Sequence, residues 1–183
     1  MLLLNDQVFF IHRHLVKESI IRFLTCVSTP IIVDFCSFDN AGREAATILR
    51  ESSAGLLARL DQEDTMIIFS NVEKSPTSLA GLLLSYPLVY YSDDPASKLF
   101  DAEVAVFSVW TDSTFPRTLM QFSSPPKFVD QVHSLLKEIV KEWSARLKQL
   151  SPELNNRWRT YAGVESCTLK IQVETRRAPI LSL

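Results

Sequence analysis

The chain has 183 residues, 46% of them hydrophobic and 22% charged, with a net charge of −2. That length fits one domain, 1–183, able to bury about 70% of its unfolded surface, and that balance excludes a disordered chain. A weakly acidic protein exerts no long-range pull on nucleic acid or anionic lipid, which argues against a nucleic-acid partner and a membrane surface.

Met1 to Leu4 begins like a signal peptide, but no basic segment precedes it and Asn5-Asp6 ends the apolar run, so no export signal is expected. Asp6 is placed to cap a helix over about 7–25. Phe9, Val16, Ile20, Phe23 and Leu24 share one side of it, and Ile11, Leu15 and Ile21 widen the apolar face. Thr29-Pro30 ends this helix. Ile31 to Phe35 is a β-branched run with the carboxylate of Asp34 at its end, the pattern of a central strand buried on both faces. Asp39 is expected to cap a helix through Ala45, Ala46, Ile48 and Leu49, with a short helix and loop over 55–64.

Met66 to Phe69 reads as a second buried strand. Ser75-Pro76 opens a helix through Leu79, Leu82 and Leu83, with proline at a favoured first-turn position, and Pro87 stops it. Leu88 to Tyr91 is a third strand. The apolar stretch 79–91 is broken by Pro87 and is too short for the ~20 residues that span a bilayer. Strands over 103–110 and 117–122, joined by a short loop, form an antiparallel hairpin. Pro125-Pro126 opens the longest helix, to about Leu150, with a stripe of Phe128, Val132, Leu135, Leu136, Ile139, Trp143, Leu147 and Leu150 and a Glu142–Arg146 pair on its other side. In 167–175, Leu169, Ile171 and Val173 face one way, as in a half-covered strand. The expected class is α/β: a single-domain three-layer sandwich, its mixed sheet largely parallel with an antiparallel hairpin and helices on both faces.

The run Gly81-Leu82-Leu83-Leu84-Ser85-Tyr86-Pro87-Leu88-Val89-Tyr90 resembles a G-h-L-L-G-Y-P-h-x-Y motif, h being apolar. It is the motif of the uncharacterised eukaryotic family typified by the product of human chromosome 1 open reading frame 74. Pro30 to Cys36 resembles that family's P-h-h-h-x-D-C strand, with Asp34 at its aspartate and Cys36 displaced by one position. Val106-Phe107, Leu119 to Ser123 and the ending Ala178 to Leu183 resemble further pieces in the same order. Ser85 stands where the family motif has a second glycine, and the middle of the chain is shorter. The resemblance implies a common fold and brings no activity with it.

Absent motifs narrow the chemistry. With glycine only at 42, 55, 81 and 163, the chain supplies no G-x-G-x-x-G, P-loop or G-x-S-x-G, each of which needs glycine where backbone must approach a phosphate or turn sharply. Cys26, Cys36 and Cys167 are odd in number and none stand at C-x-x-C spacing, so neither a disulfide framework nor a zinc knuckle is expected, and free thiols suit the cytoplasm. His12 and His14, two apart on a helix, point to opposite sides and cannot chelate one metal; His133 stands alone. No metal and no cofactor are expected.

Asp34 is the candidate catalytic residue, since ligands of open α/β sheets sit beyond the carboxyl ends of strands. Ser70, Asn71 and Asp93 end neighbouring strands and are candidate binding residues beside it. Such a group would serve metal or acid/base chemistry; the second carboxylate that phosphotransfer wants two positions on is Cys36 here. The other reading is that Asp34 bonds loop amides and ends its strand. Arg157, Trp158 and Arg159, with Tyr161 and the pair Arg176-Arg177, are candidates for gripping a phosphate, a peptide carboxylate or a single strand; the alternative is a loop whose Trp158 plugs a core edge. The leading expectation is a non-enzymatic intracellular protein that binds another protein through its first helix or the 157–161 loop. The alternative is a small-molecule hydrolase or phosphotransfer-like enzyme centred on Asp34.

Overall fold

A computed structural model describes residues 2–4, 7–9, 12–62, 67–69, 76–92, 98–112, 116–149 and 168–182. Helices and strands alternate and the sheets are mixed, as an α/β chain requires, but the sheets are small. The chain divides into two compact units, Met1–Leu99 with Ile180–Leu183, and Phe100–Pro179.

In the first unit, β1 (Leu2–Leu4) pairs antiparallel with β2 (Gln7–Phe9), Leu4 opposite Gln7, and parallel with β4 (Ile67–Phe69). Residues 7–9 are therefore strand, and the first helix, α1 (Arg13–Leu24), starts six residues later than its apolar spacing predicts. The predicted cap Asp6 lies outside the described residues. The observed cap is His12, whose Nδ1 accepts from the Leu15 amide at 3.5 Å. Lys17 pairs with Asp61 at 2.5 Å, and the Arg13 guanidinium donates to the Gln62 carbonyl, tying α1 to the end of α2 (Gly42–Leu60).

The second helix corrects two expectations. Asp39 does not cap it: Ala41 holds the N-cap position without a side-chain bond, and Gly42 enters at φ +75°. Nor does the helix stop before Gly55. Ala45, Leu49, Ser53, Leu56 and Leu60 recur at four- and three-residue steps and all are buried, so one continuous stripe outweighs one exposed glycine, which costs a helix about 1 kcal/mol. The stripe meets Val16, Ile20 and Phe23 of α1, Leu79 and Leu82 of α3 (Pro76–Leu83) and Val89 of β5 (Leu88–Tyr91) in the core.

β3 (Ile31–Asp34) pairs with β5 in parallel, Asp34 opposite Tyr91. It is not the central strand that its composition suggests. Among the described residues β5 is its one strand neighbour. Its other margin is closed by the chain itself: Asp34 N donates to the Asp39 carbonyl at 2.7 Å and Ala41 N to the Ile32 carbonyl at 3.0 Å, with an antiparallel bridge of Val33 to Asn40. Val33 and Phe35 are buried, while Ile31, Ile32 and Asp34 are half-buried. The β-branched run reports burial here, not sheet position.

In the second unit, β6 (Lys98–Thr111) lies between β7 (Thr118–Ser124) and β8 (Leu169–Ser182). β6 and β7 form the expected antiparallel pair, Phe107 opposite Phe122, with an irregularity between Val109 and Trp110. A 3-10 turn, Pro126–Phe128, leads into α4 (Val129–Lys148). Phe128, Val132 and Leu136 of the predicted stripe are buried, Ile139 and Trp143 half-buried, and Leu135 exposed; the stripe is wider than the surface it covers. His133 sets its ring 6.4 Å from that of Phe107, which stacks on Phe122 at 5.3 Å. Arg146 bonds Glu142 at 2.7 Å as the i,i+4 spacing predicts.

Ser53 is fully buried and its Oγ has no hydrogen-bond partner among the described residues. An unmet hydroxyl in an apolar helix contact costs about 1–3 kcal/mol. Ser53→Ala is therefore expected to raise unfolding stability by about 1 kcal/mol, read as a higher urea midpoint at unchanged slope.

Candidate functional site

Asp34 ends β3 where the strand pattern places it, and the structure gives its carboxylate an occupation. Oδ1 accepts from the Ser37 amide at 2.7 Å and from the Ser37 hydroxyl at 2.9 Å. Ser37 Oγ in turn accepts from the Asp39 amide at 3.2 Å. The backbone joins in: Phe38 N donates to the Asp34 carbonyl at 2.9 Å, and Phe35 N to the Tyr91 carbonyl at 2.8 Å. A carboxylate that accepts from an amide and a hydroxyl of the turn it begins is what makes aspartate a turn former.

The turn is tight enough to hold Phe38 at φ +59°, a left-handed conformation that costs a residue with a side chain about 1–2 kcal/mol. Aromatic packing offsets it. The Phe38 ring lies 6.1 Å from Tyr90, and Phe35 meets Tyr90 edge-on at 5.6 Å. Ser37 is the residue that sequence reasoning missed; its signal is an aspartate at a strand end followed three residues on by serine.

None of the three residues expected beside Asp34 lies within the described residues. Among the described residues β4, which precedes Ser70 and Asn71, pairs with β1. Ser70, Asn71 and Asp93 themselves lie outside the described residues, as do Arg157, Trp158 and Arg159. Arg176 and Arg177, expected to add basic charge to that loop, are each matched by a carboxylate: Arg176 by Glu174, Arg177 by Asp101 at 3.2 Å. His12 caps α1 and His14 is exposed. No group of three metal-ligating side chains stands together among the described residues, and no helix among them is long and apolar enough to cross a membrane.

The most motif-like segment, 81–90, makes a clasp between α3 and β5. A Cβ on Gly81 would sit 2.9 Å from Val89 Cγ1, so the first glycine is the contact point of helix and strand. α3 then ends with the Tyr86 amide on the Gly81 carbonyl (2.9 Å) and the Ser85 amide on the Leu82 carbonyl (3.0 Å). That closure puts its turning residue in the left-handed region, usually as glycine; Ser85 sits there at φ +57°. Ser85 Oγ lies 3.2 Å from Ser19 Oγ, and Ser19 also donates to the Leu82 carbonyl at 3.3 Å, linking the clasp to α1.

Comparison with family models, with curated proteins and with solved structures gives no match for this chain.

Two outcomes follow from this geometry. Asp34→Ala should lower stability by about 1 kcal/mol, because it removes the acceptor of the Ser37 amide and hydroxyl, whereas Asp34→Asn keeps an acceptor oxygen and should cost less. Equal urea midpoints for wild type and Asp34→Ala would remove the structural role. At the clasp, Ser85→Gly should stabilise by about 1 kcal/mol, and Gly81→Ala should destabilise by about 1–3 kcal/mol through the Val89 contact.

Proposed function

We propose that this chain is a cytoplasmic, non-enzymatic α/β protein that binds another protein, with α1 as the principal contact surface. The three-layer arrangement, helices on both faces of the strands, is part of the same proposal. The observation that carries the reading is apolar exposure on and beside α1. Leu15 is 46% exposed, Ile21 47%, Val27 just past the helix end 70%, and Leu84 at the end of α3 51%. Leu15 lies one helical turn before Ser19, the residue that joins α1 to the α3 clasp, and Leu84 directly precedes Ser85, its partner there. A single exposed apolar side chain is ordinary; several on one helix and its neighbour are the composition of a partner surface.

A nucleic-acid role has less in its favour, given the net charge of −2 and carboxylates beside Arg176 and Arg177. The enzymatic alternative at Asp34 is also the weaker reading, because Oδ1 serves its own turn. We further infer kinship with the family typified by the product of human chromosome 1 open reading frame 74. It is supported by Gly81 at a close approach and by a left-handed backbone at Ser85, where that family carries glycine.

Leu15→Glu and Ile21→Arg, alone and together, test the binding surface. Both residues are already half in water, so stability should move by no more than about 0.5 kcal/mol. Quantitative capture from cytosol should retain a partner on the wild-type chain that the double variant loses. Identical captured proteins, or none on either, would contradict the reading.

A further inference from the structure

β8 is an edge strand: in the order β7-β6-β8, β6 is its one strand neighbour among the described residues. Asp112 N donates to the Thr168 carbonyl at 2.8 Å, and Arg177 pairs with Asp101 at 3.2 Å, so β8 runs antiparallel to β6. An open strand edge offers unpaired N–H and C=O groups that template another strand. Backbone groups alternate sides along an antiparallel strand. With Thr168 turned toward β6, residues 171, 173, 175, 177 and 179 turn theirs to the open side. Pro179 fits this parity, since a missing N–H costs least on an open edge.

We propose that the open side of β8 pairs with β8 of a second copy of this chain, about a two-fold axis through Thr175. β8 is a different element from α1, and its pairing does not depend on the reading given for that helix. Two identical antiparallel strands related by a two-fold axis place the neighbours of the axial residue opposite one another, and charge then selects the register. An axis at Glu174, Arg176 or Arg177 sets a charge against its own copy. One at Val173 sets Lys170 against Arg176. One at Gln172 sets Lys170 against Glu174, but Lys170 is already held by Asp112 at 2.8 Å. An axis at Thr175 sets Glu174 of each copy opposite Arg176 of the other, and Thr175 opposite Thr175, both favourable cross-strand pairs, and opposes no like charges. Within one copy Arg176 already donates to Glu174 at 3.0 Å, so pairing closes a ring of four alternating charges. Thr175 and Arg176 are exposed and Glu174 is half-buried.

Sedimentation equilibrium of the full chain between about 1 µM and 0.1 mM tests this. The expected result is a monomer–dimer equilibrium whose dissociation constant rises about tenfold or more with Arg176→Glu or Glu174→Arg alone, and returns to within about threefold of wild type when both are combined. Thr175→Pro removes an open-side N–H without altering charge and should abolish the dimer. Circular-dichroism melting establishes that each variant is folded, and the charge exchange stands on its own if the proline variant is not. A wild-type chain that stays monomeric, a dimer indifferent to Arg176→Glu, or a double variant no better than the singles overturns the proposal. A dimer that responds to Lys170→Glu and not to Arg176→Glu overturns the Thr175 axis in favour of Gln172.

Discussion

The first unit depends on how the margin of β3 is closed. A strand with one neighbour leaves a row of backbone groups that must find partners or water. Here the chain turns back on itself directly after Asp34, and Asp39 and Ala41 return the bonds that a second strand would make. The turn holds because one carboxylate oxygen gathers the Ser37 amide and hydroxyl. It tolerates a left-handed Phe38 because that ring packs on Tyr90, in the strand next door. Closing the edge by a loop also places Gly42 and the start of α2, whose buried stripe builds the core against α1 and α3. One oxygen of the carboxylate that ends β3 therefore bonds the turn that follows it.

The chain turns corners with few glycines. Cys26, Phe38, Ser85 and Asp101 all take left-handed backbone conformations, each at a cost of about 1–2 kcal/mol. Cys26 and Ser85 close α1 and α3 with the same bond pattern: Val27 N reaches the Arg22 carbonyl as Tyr86 N reaches that of Gly81. Side chains at these positions take on contacts that glycine could not make. Ser85 meets Ser19, Cys26 Sγ accepts from Arg50 at 3.0 Å, and Asp101 pairs with Arg177.

Much of this was legible in the sequence, and the misreadings have physical causes. β3, β5 and α3 are legible because β-branched runs and prolines bound them. The 128–132–136 stripe and the Glu142–Arg146 pair follow from helical spacing alone. The start of α1 was not legible because Phe9, Val16 and Ile20 fit a helical period by coincidence; the competing signal was Asn5-Asp6, two turn-forming residue types between short apolar runs. Asp39 resembles a helix cap in sequence, but its backbone is claimed by Asp34. Strand adjacency is a non-local property that residue patterns do not carry, and β4 lies beside β1 among the described residues. Ser37 was overlooked because its bond exists only once the turn has its path.

Amide hydrogen exchange at single-residue resolution tests the self-closed margin of β3. The amides of Asp34, Ser37 and Ala41 are expected to be protected alongside the core amide of Phe35, because each donates to a partner at 3.0 Å or less. Exchange of those three amides at the rate of an unstructured loop, with Phe35 still protected, would contradict it and return Asp34 to the list of residues free for chemistry.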